Sequence, residues 1–152
     1  MKTYFDTSVL VKVYIEEQNS RDAIALLSKV APPIPFTHLH ALELLTAIRL
    51  KRFREEITTR EERSAIGMVQ ADLATRRLQL PNYDLIHVFH RAEALSARYA
   101  ATVGTRTLDI LHVAAALEAG CEEFVSFDDR QRKVAAKVRL AVIPRELSRP
   151  ST

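Results

Sequence analysis

The chain has 152 residues, 47% of them apolar and 27% charged, with 3 Gly and 6 Pro, a balance that suits one globular domain and excludes a disordered or fibrous chain. Its single cysteine, Cys121, excludes an internal disulfide and a thiolate metal centre, and no apolar run approaches the ~20 residues of a bilayer-spanning helix. The net charge of +3 permits contact with a polyanion without requiring it.

Thr3 to Phe5 is a short β-prone run, preceded only by Met-Lys, so the N-terminus has no signal-peptide core and the chain reads as a cytoplasmic protein. A helix is expected over Ser20 to Val30, with Ser20 as its cap and Pro32-Pro33 ending it. A strand follows at Ile34 to Thr37 and a Leu- and Ala-rich helix at Leu39 to Arg54. The next helix, Thr59 to Arg77, opens on a capping-box spacing, Thr59 with Glu62. Leu78 to Leu80 is strand-like, Asp84 caps a helix to Ala101, and Leu108 to Ala119 is a helix closed by Gly120. Strands at Glu123 to Phe127 and Leu140 to Ile143 bracket a helix over Arg130 to Val138. Short strands alternating with helices argue for an α/β fold around a mostly parallel sheet, because parallel strands need crossovers. One domain, 1–147, is expected, with a frayed tail at 148–152.

Four acids stand out from this pattern. Asp6 directly follows the first strand, where α/β sheets present ligand-binding groups; it could equally cap the next helix. Glu43 shares a helix face with Leu39, Ala47 and Leu50, so it is either enclosed by carbon, where a carboxylate costs several kcal/mol unless compensated, or it borders solvent and pairs with a nearby Arg. Asp109 lies in the first turn of an apolar helix capped by Thr107, where the helix dipole alone would favour it, and His112 shares its face. Asp128 and Asp129 follow another strand; successive residues point opposite ways, so one faces a site while the other caps the next helix. Together the acids suggest one acidic pocket. Clustered carboxylates repel unless a divalent cation neutralises them, and oxygen-only donors suit Mg²⁺ or Mn²⁺ rather than zinc. Basic clusters at Arg49, Lys51, Arg52 and Arg54, at Arg76 and Arg77, and at Arg130, Arg132, Lys133, Lys137 and Arg139 read as solvated helix faces when taken singly, and beside an acidic pocket they would hold nucleic-acid phosphates.

The order and contexts of these residues resemble the PIN-domain nucleases, and particularly the VapC-like toxins of toxin-antitoxin pairs. The carriers are Phe-Asp-Thr-Ser at 5 to 8, Glu43 in Ala-Leu-Glu-Leu, Arg-Thr-Leu-Asp-Ile-Leu-His-Val-Ala-Ala-Ala at 106 to 116, and Phe-Val-Ser-Phe-Asp-Asp-Arg-Gln at 124 to 131. The resemblance implies a three-layer α/β fold, its short, mostly parallel sheet flanked by helices. It also implies a site of Asp6, Glu43, Asp109 and Asp128 that holds Mg²⁺ or Mn²⁺, with Ser126 where a Ser or Thr is expected. Ser8, Ser126, His112 and Asp129 then stand as candidate supporting residues, though a lone His on such an apolar helix also reads as a satisfied core residue. The implied activity is metal-dependent hydrolysis of RNA, in a frequent homodimer occluded by a cognate antitoxin.

Two other classes compete. A phosphatase using Asp6 as nucleophile is disfavoured, because position 8 is Ser where a second acid is usual. A non-catalytic RNA- or protein-binding module, or a housekeeping RNA-processing nuclease, remains the alternative. Nucleotide binding through a glycine loop is disfavoured, since Gly67, Gly104 and Gly120 are isolated.

Overall fold

Seven helices and five strands alternate along residues 1–146, the residues that the computed structural model describes. The expected tail at 148–152 lies outside them. The chain divides into two compact units: Met1–Phe5 with the described residues from Asn82 onward, and Asp6–Pro81.

In the first unit, β1 (Thr3–Phe5), β4 (Glu123–Val125) and β5 (Ala141–Ile143) form a parallel sheet in the order β1-β4-β5. Phe5 lies opposite Val125, and Val125 opposite Ile143. The connection from β4 to β5 runs through α7 (Asp129–Lys137), the helical crossover that a parallel pair requires. Two longer helices, α5 (Leu85–Val103) and α6 (Thr107–Glu118), pack on each other. Ile110 through Ala116 of α6 are all buried, a continuous run that small alanines make possible on a helix enclosed all round. Tyr4 stacks on Phe124 with ring centroids 5.6 Å apart and meets the edge of His112 at 5.8 Å. Its hydroxyl lies 2.9 Å from His112 Nδ1, which makes His112 a core residue of this unit. Gly120 stops α6 in the left-handed conformation expected of it, at φ 68°. Cys121 is buried in the turn that follows, its thiol pushed up to about 11 by burial.

The second unit contains α1 (Thr7–Tyr14), α2 (Ser20–Ser28), β2 (Ile34–Pro35), α3 (His38–Phe53), α4 (Thr59–Ala74) and β3 (Leu78–Gln79). Periodicity gives no helix between Asp6 and Ser20, and the Val-rich α1 sequence favours strand by propensity. Packing overrides it. Asp6 caps the helix, and Val9, Leu10, Val11 and Tyr14 turn inward against α2, α3 and α4. Strands β2 and β3 pair in parallel with each other alone, so the segments expected in one sheet form two among the described residues.

Several caps differ from expectation. Thr58, not Thr59, opens α4: its hydroxyl accepts from Glu61 N at 3.2 Å while Glu61 Oε2 accepts from Thr58 N at 2.7 Å. The box is therefore one residue earlier than the Thr59-Glu62 spacing. Thr37, read as strand, caps α3, and His40 Nδ1 accepts its backbone N–H at 2.9 Å, an imidazole in the role usually given to Glu or Gln. Ser20 does not cap α2; its hydroxyl donates to the Ile15 carbonyl and accepts from Glu17 N. Arg106, not Thr107, stands at the N-cap of α6.

Candidate functional site

The second unit carries Asp6 and Glu43. Asp6 is fully buried at 0% exposure. Its Oδ1 accepts from Val9 N at 2.9 Å and from the Ser8 hydroxyl at 2.7 Å, so the cap and the Ser8 contact share one oxygen. Oδ2 is buried and has no hydrogen-bond partner among the described residues. An unsatisfied buried oxygen costs about 1 to 3 kcal/mol, and more when charged. Glu43 Oε2 accepts from Thr7 Oγ1 at 2.9 Å, so the consecutive residues Thr7, Ser8 and Val9 hold both acids. The expectation that Glu43 is enclosed by carbon is corrected: it is half-buried, and Leu50, a predicted face-mate, is 43% exposed. Helix α3 presents only His40, Leu44 and Ile48 as fully buried positions, a narrow stripe that leaves Glu43 at its margin.

The first unit carries Asp109 and Asp128. Asp109, at the third position of α6, accepts from Arg106 N through Oδ2 at 3.0 Å and from Gln131 Nε2 through Oδ1 at 3.1 Å. Asp128 is the N-cap of α7: Oδ1 accepts from Arg130 N at 2.8 Å and Gln131 N at 3.2 Å, and Oδ2 meets the Arg130 guanidinium at 3.4 Å. Burial works to raise the Asp128 pKa, but the Arg130 side chain and the two backbone donors outweigh it and hold the carboxyl below its usual range. The buried Ser126 hydroxyl accepts from Asp128 N at 3.0 Å and so braces the turn. Asp129 points outward and pairs with Lys133 one helical turn on, so the two adjacent acids do diverge, with Asp128 as the cap.

Gln131 is the residue that sequence reasoning missed. It touches both acids of this unit, and the signal was a polar side chain on the inner stripe of α7, beside Val134 and Ala135.

The basic clusters are more occupied than their spacing implies. Lys51 bridges Glu17 and Glu56, while Lys12 holds Glu17 from the other side. Burial works to raise the Glu17 pKa, and the two ammonium groups outweigh it and lower it. Arg132 donates to the carbonyls of Ser126 and Pro144, and its partial burial lowers its pKa. Lys137 lies 5.7 Å from the Tyr99 ring centroid. Lys51, Arg130, Arg132, Lys133 and Lys137 are thus engaged within the fold, which corrects the reading of whole clusters as phosphate holders.

Whether the acids suit a cation is answered by their chemistry. All are hard oxygen donors, and the orphaned Asp6 Oδ2 is the buried atom that most needs a positive partner. Among the described residues no three His, Cys, Asp or Glu side chains form a group that could hold a metal ion. The residues fit a divalent ion in donor type.

Of the four acids, Asp6 directly follows β1 and Asp128 stands three residues beyond β4, each past the carboxyl end of a parallel strand. A family model, the PIN domain, matches residues 3–137, and the chain belongs to that family. Its fold is a nuclease fold; PIN domains are generally hydrolases acting on nucleic acids, and they typically use divalent metal ions. No curated protein matches the chain. Among the described residues no helix is long and apolar enough to cross a membrane.

Proposed function

We propose that this PIN domain is a Mg²⁺- or Mn²⁺-dependent ribonuclease, the toxin of a toxin-antitoxin pair, working in the cytoplasm as a homodimer that a cognate antitoxin occludes. The observation that carries the metal site is Asp6, a fully buried acid with one oxygen unpartnered. Asp6, Glu43, Asp109 and Asp128 would hold the ion within one functional domain, 1–147.

A bound divalent ion supplies Lewis acidity, lowering the pKa of a water nucleophile and offsetting charge on the phosphate. The chain's own residues do the rest. Ser8 and Val9 N fix the Asp6 carboxylate so that Oδ2 stays free, and Thr7 orients Glu43. Arg106 N and Gln131 fix Asp109. No imidazole base is called for, since His112 is spent on Tyr4. Arginines with no ion pair among the described residues, such as Arg49 and Arg76, would supply salt-dependent phosphate contacts.

Purified protein is expected to cleave RNA with Mg²⁺ or Mn²⁺ and to stop in chelator. Undiminished cleavage in chelator sinks the metal reading, and absence of cleavage under any metal favours a binding module. A neighbouring gene for a DNA-binding antitoxin separates the toxin from a housekeeping nuclease.

A further inference from the structure

We propose that Gln131 is a positioning residue that sets Asp109 and Asp128 relative to each other; the inference rests on the metal-site reading above. Its backbone N–H donates to Asp128 Oδ1 at 3.2 Å, and its side-chain Nε2 donates to Asp109 Oδ1 at 3.1 Å. One residue therefore references both acids. The backbone donor is fixed by the first turn of α7, and the amide carries that reference across to α6. Asp109 is held from the other side by Arg106 N on Oδ2 at 3.0 Å, so both of its oxygens are restrained and the plane of the carboxylate is set.

A core-filling role does not account for this residue. Gln131 is only 8% exposed and shares its stripe with Val134 and Ala135, both at 0%. An apolar side chain of similar size would fill that space without burying an amide. The amide's orientation is dictated by Asp109: its NH₂ must face the carboxylate, because oxygen against oxygen would repel. That turns Oε1 away, and Oε1 is buried with no hydrogen-bond partner among the described residues. The fold thus tolerates an unsatisfied carbonyl to keep one donor on Asp109. Groups that orient ligating carboxylates are where such a cost is repaid, since losing one weakens metal affinity about 10- to 100-fold.

The test titrates Mn²⁺ into the wild-type chain, Q131L and Q131E, following bound ion by electron paramagnetic resonance and the melting temperature with and without Mn²⁺. Q131L keeps the backbone bond to Asp128 and loses the donor to Asp109; its dissociation constant for Mn²⁺ should rise about 10- to 100-fold, and its Mn²⁺-induced rise in melting temperature should shrink. Q131E sets a second carboxylate against Asp109, so it should melt lower than wild type without metal and gain more from Mn²⁺. These opposite signs are what a merely structural residue would not give, and Q131E alone carries the test if Q131L fails to fold. Equal Mn²⁺ affinity and equal metal-induced shifts in all three proteins overturn the role of Gln131. A wild-type chain that neither binds Mn²⁺ nor shifts with it overturns the metal-site reading itself, and with it this inference.

Discussion

The acids of the two units are held differently. In Asp6–Pro81, hydroxyls from Thr7 and Ser8 donate to Glu43 and Asp6, Val9 N donates to Asp6, and one Asp6 oxygen has no hydrogen-bond partner among the described residues. In the sheet unit, each carboxylate oxygen of Asp109 and Asp128 is met by a backbone N–H, an amide or a guanidinium. Asp6 and Asp128 both cap helices, but Asp128 also meets a guanidinium, whereas Asp6 keeps a buried oxygen with no hydrogen-bond partner among the described residues. A substitution should therefore separate chemistry from stability differently in the two units.

The largest expected effect is on Asp6. D6N should reduce metal-dependent RNA cleavage to background, yet melt at or above the wild-type temperature in chelator. Asparagine can still cap α1 through its carbonyl oxygen while removing a buried charge. A marked loss of melting temperature would show that the charge stabilises the fold and would break the contrast. Next is Asp128, where D128A should lose a cap used by two backbone donors, about 0.5 to 2 kcal/mol by denaturant unfolding.

The same residue gives a pH signature. Its pKa is depressed in the folded chain, so its stabilisation is complete above the ordinary Asp value of about 3.9 and is lost as pH falls through the lower folded value. Wild-type melting temperature should fall more steeply than that of D128N between about pH 5 and 2. Parallel profiles would show that the cap does not depend on charge. The smallest effect is at Glu17, between Lys12 and Lys51: E17Q should cost no more than about 1 kcal/mol, because the three side chains are partly exposed and screened by solvent.

Much of the frame was legible from the sequence. Strong periodicity located α2 through α7 and the strand runs, and alternation of short strands with helices indicated a parallel α/β sheet. What failed did so for physical reasons. Helix α1 was hidden because β-branched valines favour strand locally, and only burial against α2, α3 and α4 reverses that preference. The α4 box was read one residue late because Thr58-Thr59 and Glu61-Glu62 offer the same spacing twice. Asp6 was placed by its position after a strand, whereas the apolar surroundings expected for Glu43 were inferred from a helical wheel that does not know how narrow the buried stripe is. Gln131 went unread because a single amide in a basic helix has no pattern; its meaning comes from Asp109, which is 22 residues away in sequence.

Arg132 has one more consequence. Its guanidinium joins the Ser126 carbonyl, just ahead of Asp128, to the Pro144 carbonyl, just past β5. The turn that carries an acid is thus buckled to the segment leaving the sheet edge. Amide hydrogens of the Ser126–Asp128 turn should exchange in step with those following Ile143, and R132A should quicken both together. A ligand gripping either end would be felt at the other through the Arg132 side chain and through the Ser126 N–H that donates to the Ile143 carbonyl.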